Sequence, residues 1–203
     1  RLSTASAIWT DLLSALYAGI RCGDGAIKDE VVSKYTLRKL VEAKPEALAM
    51  AYRLGEALDN NSVLGWVYEA DFLMNAKAMG QILLFDEKGE AAFKCDIKSV
   101  QYFSDIMEID WKHDNCLWIP TKHNNPAFDF LYLYEEDYMG IAFFGNVTIS
   151  PRHSCKLQHI EAAMKLSGLG RLRYCAIAPL KEDKKKVGWD PPSAYAKLTD
   201  TNT

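Results

Sequence analysis

The stretch NPAFDFLYLY, Asn125 to Tyr134, constrains the fold more than any other part of the chain. From Phe128 to Tyr134 it is aromatic or aliphatic at every position but one, which reads as a buried strand. The exception is Asp129. A lone ionised carboxylate between Phe128 and Phe130 costs several kcal/mol to desolvate unless it is paired, protonated or bound to a metal ion. Alternation along a strand puts Asp129, Leu131 and Leu133 on one face and Phe128, Phe130, Tyr132 and Tyr134 on the other. That aromatic stripe fits sheet packing better than a platform for stacked bases.

Around this strand the chain changes texture at Gly80. Before it, apolar residues recur at helical spacing over Ala7 to Ile20, Lys34 to Ala43, from Pro45 to the Asp59-Asn60-Asn61 stop, and from a Ser62 cap through VLGWVYEADFLMNAKAM to Gly80. The first eighty residues therefore read as helical. After it, QILLF and AAFKC flank the turn-forming DEKG and predict a hairpin. Further strands are expected near Val100–Phe103, Cys116–Ile119, Phe128–Tyr134 and Ile141–Ile149. A helix over Cys155–Leu166 capped by Ser154 and a last strand RLRYCAIAP follow. From Trp189 the composition is polar and turn-rich, which predicts a loose tail. The expected organisation is a helical annex, or remnant of an upstream module, over residues 1–60, an α/β domain over 61–180 and a polar tail over 181–203.

Composition narrows the class. The 203 residues are 49% hydrophobic with a net charge of −3, an ordinary globular balance that argues against a strongly basic nucleic-acid clamp, although a local basic patch fits within it. Five cysteines, odd in number and without a C-x-x-C pair, do not form the framework of a secreted disulfide protein. No apolar run approaches the roughly 20 residues that span a bilayer. A start at Arg1 instead of Met marks the sequence as an excised fragment, so targeting segments are not judged from it.

Glu69 is the second inward carboxylate. Its neighbours three and four residues away are Gly65, Trp66, Phe72 and Leu73, whereas Asp71 has Asn75 beside it. On the strand after the acidic turn EEDY, Asn146 and Thr148 share a face, and hairpin pairing brings them towards Asp129. Two readings stand. Glu69 and Asp129 either cradle a hard divalent cation such as Mg²⁺, able to activate water and stabilise charge on a phosphate, or serve as a salt bridge and a cap. Among weaker signals, His113-x-x-Cys116 with His153-x-Cys155 fits no standard zinc spacing, and Cys155 with His159 lacks an orienting third group. RCGDGAIKDE lacks the lysine and hydroxyl residue of a phosphate-binding loop and reads as a turn. The run KEDKKK reads as a solvated surface.

Three separated segments, SKYTLRKLVEAKPEALAMAYRLGEALDNNSVLGWVYEADFL, LWIPTKHNNPAFDFLYLY and FFGNVTISPRHSCKLQHI, together resemble the C-terminal region of oomycete Crinkler effectors over roughly Ser33 to Leu166. That region is similar to the restriction-endonuclease-like, PD-(D/E)XK fold. The resemblance implies an α/β core ordered as helix, mixed central sheet, helix and strand. It also implies a secreted protein acting in a host cell, in the nucleus, on DNA or a host nuclear protein.

For the site, it implies metal-dependent phosphodiester cleavage with Mg²⁺ or Mn²⁺ held by Glu69 and Asp129. Asn146 stands at the position usually held by Gln or Glu, and Thr148 where the wider superfamily has lysine. Arg152, His153 or Lys156 would then supply the missing positive charge, Lys156 as the catalytic cation and Arg152, His153 and Thr148 as substrate contacts. Without the strand lysine the attacking water loses its usual electrostatic partner, and an amide is a weaker metal ligand than a carboxylate. A catalytically degenerate nuclease fold that binds DNA or a host protein is therefore the alternative. A third reading is a protein-interaction domain with a merely satisfied polar cluster.

Overall fold

The structure, a computed structural model, describes residues 17–21, 27–31, 34–86, 88–112, 114–122, 127–149, 157–169, 171–180 and 195–197. The class is α/β, as expected. Two compact units divide inside one long helix, between Asp71 and Phe72.

The first unit opens with a correction. Tyr17–Arg21 (β1) is a strand, paired antiparallel with Ile27–Val31 (β2), so the helix expected to run to Ile20 does not do so. Gly19 lies inside β1, paired with Asp29. Residues 7–16 of that expected helix lie outside the described residues. Three helices follow at Lys34–Ala43 (α1), Ala47–Ala57 (α2) and Asn61–Met79 (α3).

The stop between α2 and α3 is set by local chemistry. Asp59 takes a positive φ of 50°, and the Asn60 Oδ1 accepts from the Ser62 and Val63 N–H groups at 3.1 Å each. Asn60, two residues earlier than the expected Ser62, is therefore the cap of α3. Gly55 lets α2 lie close to α3, since a Cβ there would come within 2.8 Å of Leu64 Cδ2. Leu37, Val41, Ala47, Leu48, Ala51, Val63, Val67 and Ala70 are the buried apolar residues described in this unit.

The second unit is built on an eight-stranded mixed sheet. Its strands are Gln81–Phe85 (β3), Ala91–Asp96 (β4), Ser99–Phe103 (β5), Cys116–Pro120 (β6), Phe130–Glu136 (β7), Met139–Val147 (β8), Arg171–Pro179 (β9) and Tyr195–Lys197 (β10). Their spatial order is β4-β3-β10-β9-β8-β7-β6-β5. β6, β7 and β8 form an antiparallel meander, and Leu157–Ser167 (α4) then carries the chain to β9, parallel to β8. The expected hairpin over DEKG is present, with Asp86 Oδ1 accepting from the Lys88 and Glu90 N–H groups at 2.8 Å. Gly80 and Gly168, both at positive φ, end α3 and α4 where expected.

Part of the expected loose tail is a strand, and its other residues, 189–194 and 198–203, lie outside the described residues. Tyr195–Lys197 enters the sheet between β9 and β3, because Tyr195 finds burial against Phe72 at 5.0 Å between ring centroids. One buried aromatic ring is enough to draw three residues of an otherwise polar segment into the ladder.

The strands at the two ends of the sheet order, β4 and β5, are separated in sequence only by Ile97 and Lys98. The sheet therefore rolls over. Phe93 of β4 stacks on Phe143 of β8 at 4.7 Å and meets Tyr134 of β7 edge-on at 6.0 Å, while the Tyr132 hydroxyl donates to Asp96 O at 2.7 Å. The inner face carries Phe130, Tyr132, Tyr134 and Phe143, so the aromatic stripe is core, as its packing reading predicts. The opposite face buries Leu131, Leu133, Ala142 and Phe144 with Ile160 and Ala163 of α4.

Phe128 departs from the expected stripe. It packs on this second face, 5.0 Å from Phe144 and 6.2 Å from Phe103, since regular pairing starts only at Phe130 and alternation does not extend back to it.

Candidate functional site

Asp129 immediately precedes β7 and is buried. Its main-chain N–H donates to Gly145 O at 2.8 Å, and its Oδ2 accepts from the Val147 N–H at 2.8 Å. These two bonds straddle Asn146. The regular ladder ends at the Phe130–Gly145 pair, and beyond it the carboxylate takes the place of a main-chain acceptor on the neighbouring strand. The pairing thus brings Asp129 opposite Asn146, as the hairpin argument expects, and gives the buried carboxylate a hydrogen-bond donor.

Asn146 is half-buried and paired with Ala176, one pair before the end of the β8–β9 ladder. Thr148 is buried just past β8, and its N–H donates to Ile177 O at 2.8 Å, extending the β8–β9 contact. A lysine there would have to carry its ammonium out of a buried backbone position, so threonine suits the packing seen. Arg152, His153 and Lys156, the expected sources of positive charge, lie outside the described residues. So do His113 and Cys155 of the weaker zinc and thiol patterns; Cys116 is buried and His159 exposed.

Glu69 is inward, as its apolar neighbours predict, and it is occupied. The Arg38 guanidinium of α1 donates to Glu69 Oε1 within the first unit, with side chains only 4% and 5% exposed. A buried carboxylate beside a buried guanidinium satisfies the demand for a counter-ion without any metal.

Asp71, expected beside Asn75 on the same helix, also proves buried, within a stretch of α3, residues 69 to 73, that is buried without interruption. A helix covered around most of its circumference carries no clean polar stripe, and neighbour counting then loses its discrimination.

Sequence reasoning missed Arg38. The available signal is that Arg38 sits between Leu37 and Val41 on a short helix whose next turns are apolar, a place where arginine needs a partner. Which of the many carboxylates supplies it is decided only by how α1 and α3 pack.

Among the described residues no three His, Cys, Asp or Glu side chains gather as potential metal ligands, and no helix is long and apolar enough to cross a membrane. Cys95, Cys116 and Cys175 are free thiols. The chain matches no protein-family model, and neither a curated protein nor a solved structure is significantly similar to it.

Proposed function

We propose that this chain is a restriction-endonuclease-like domain of Crinkler type whose catalytic centre is degenerate and which binds DNA without cutting it. As an effector of that type it would act inside a host cell, in the nucleus. The observation that carries this reading is the engagement of both expected metal-binding carboxylates by groups of their own chain, Glu69 by Arg38 and Asp129 by the Val147 N–H. Thr148 at the usual lysine position adds to it, since no fixed cation stands on the strand to orient an attacking water. The sheet supports the fold assignment: a helix, an antiparallel meander of β6 to β8, a crossover helix and a parallel β9 follow the order that the resemblance implies.

A second reading, metal-dependent cleavage of DNA phosphodiesters, is favoured by the placement of Asp129 directly across from Asn146. In that case Asp129 with the Asn146 amide would hold Mg²⁺ or Mn²⁺, and the metal would activate water and neutralise phosphate charge. Lys156 or Arg152 would stabilise the transition state, with His153 and Thr148 near the substrate.

Incubation of the purified chain with labelled duplex DNA, in Mg²⁺, Mn²⁺ or chelator, separates the two. Binding without cutting, with an affinity and salt slope that both fall in Arg152→Gln/Lys156→Gln, is the expected result. Metal-dependent cutting that disappears in Asp129→Asn would establish the second reading instead. Absence of DNA binding at low salt sinks both and leaves a protein-interaction domain.

A further inference from the structure

We propose that Tyr138 is a phosphorylation site for a tyrosine kinase that selects carboxylates on the N-terminal side of its target. Tyr138 lies at the tip of the β7–β8 hairpin, where Glu136 pairs with Met139 and leaves Asp137 and Tyr138 as a two-residue turn. Its side chain is 97% exposed, against 37% for Tyr102, 5% for Tyr134 and Tyr195 and 0% for Tyr132. Tyr52, Tyr68 and Tyr174 are half-buried. Among the described tyrosine side chains, then, one hydroxyl stands fully in solvent, and burial or packing holds back the rest.

The sequence around that hydroxyl is Glu135-Glu136-Asp137-Tyr138-Met139. Three consecutive carboxylates before the tyrosine suit a basic substrate groove, the kind of charge pattern by which kinases discriminate between targets. Glu135 and Asp137 are exposed and available to such a groove. Glu136 bonds Arg173 at 2.5 Å, but both side chains are over a third exposed, so that bond is cheaply exchanged for water.

A kinase needs its target segment locally opened, and the tip permits it. Asp137 and Tyr138 both have positive φ, 52° and 62°, in a turn geometry that favours Asn-Gly. Neither a glycine nor a buried side chain holds the turn closed, and releasing the pair Glu136–Met139 frees the strained residues while the buried part of the ladder from Tyr134 inward stays intact. In the reaction, the bond from the γ-phosphorus of a nucleoside triphosphate to its bridging oxygen breaks as a bond to Tyr138 Oη forms. The phenolic proton passes to the kinase base and the nucleoside diphosphate leaves. The product adds a dianionic group to an already acidic tip, which deepens the repulsion of that end for any anionic partner and creates an arginine-binding handle.

The test uses the intact chain, magnesium ATP and a purified tyrosine kinase that prefers acidic peptides, with a synthetic peptide spanning Leu133–Ala142 alongside. Phosphate at each tyrosine is quantified by peptide mass spectrometry. Tyr138 should be modified about tenfold faster than Tyr52, Tyr68, Tyr132, Tyr134, Tyr174 or Tyr195, the gap expected when competing hydroxyls require opening of buried structure. Tyr138→Phe should remove the main product, and Glu135→Gln/Asp137→Asn, which keeps the turn preference, should slow it about tenfold at unchanged melting temperature. The proposal is overturned if the peptide is not a substrate, if the peptide is modified while the folded chain is not, if phosphate appears mainly elsewhere, or if neutralising the carboxylates leaves the rate unchanged.

Discussion

The ring of Phe130 fills the space that a side chain at Gly145 would need: a Cβ there would lie 2.1 Å from Phe130 Cζ and 2.2 Å from Cε1. The two residues are cross-strand partners on β7 and β8, and the ring is fully buried, stacked on Phe72 at 5.4 Å and on Phe143 at 6.0 Å. An aromatic ring laid over a cross-strand glycine fills the gap that the missing side chain leaves and fixes strand register at the same time.

Gly145→Ala should therefore destabilise the second unit by about 1–3 kcal/mol, the usual cost of overpacking a rigid site. Urea unfolding followed by tryptophan fluorescence measures it. Combining the change with Phe130→Leu should recover part of the loss, and full additivity of the two costs would sink the steric account.

Arg38→Met or Glu69→Gln alone should cost about 3–5 kcal/mol, since each leaves an uncompensated buried partner. The double change should cost much less than the sum. A double-mutant cycle on thermal unfolding checks this, and coupling near zero would show that the pair is not the counter-ion each requires.

At Asp129 the cost should depend on whether an acceptor remains for the Val147 N–H. Asp129→Ala should lose about 1–3 kcal/mol, the penalty for an orphaned buried donor, whereas Asp129→Asn keeps a carbonyl oxygen and should lose less. Amide hydrogen exchange at Val147 reports the bond itself: exchange should accelerate in the alanine variant and stay slow in the asparagine one.

Alkaline pH should weaken the rolled sheet. Burial pushes the Cys95 thiol from 9.0 up to about 11, and the Tyr134 hydroxyl from 10.0 up to about 12 despite the opposing pull of Arg173. Tyr132 is raised in the same direction, again chiefly by burial. Each group holds its proton more tightly when folded than when unfolded, so its contribution is complete below pH 9 and is lost as pH rises towards 11 and 12. The urea midpoint should fall over that range, and Cys95→Ser should flatten the first part of the fall. A midpoint constant to pH 11 would contradict the burial of these groups.

Much of this protein is determined by short-range pattern. The hairpin over DEKG, the stops at Gly80 and Gly168, the strand RLRYCAIAP and the inward direction of Glu69 all follow from turn chemistry and periodicity within a few residues, and the structure has them where the sequence places them. Other features depend on contacts between separate segments. Tyr17–Arg21 is a strand because Ile27–Val31 lies beside it, and Tyr195–Lys197 is one because β3 and β9 leave a place for it next to Phe72. Asp129 has a spacing that marks it as special, but its hydrogen bond to Val147 exists only because pairing becomes irregular after Gly145. Arg38 and Glu69 are 31 residues apart, and no local rule connects them. Periodicity reports which side of an element is apolar, because that depends on its own residues; the identity of a buried charge's partner depends on how separate elements pack, which tertiary structure alone decides.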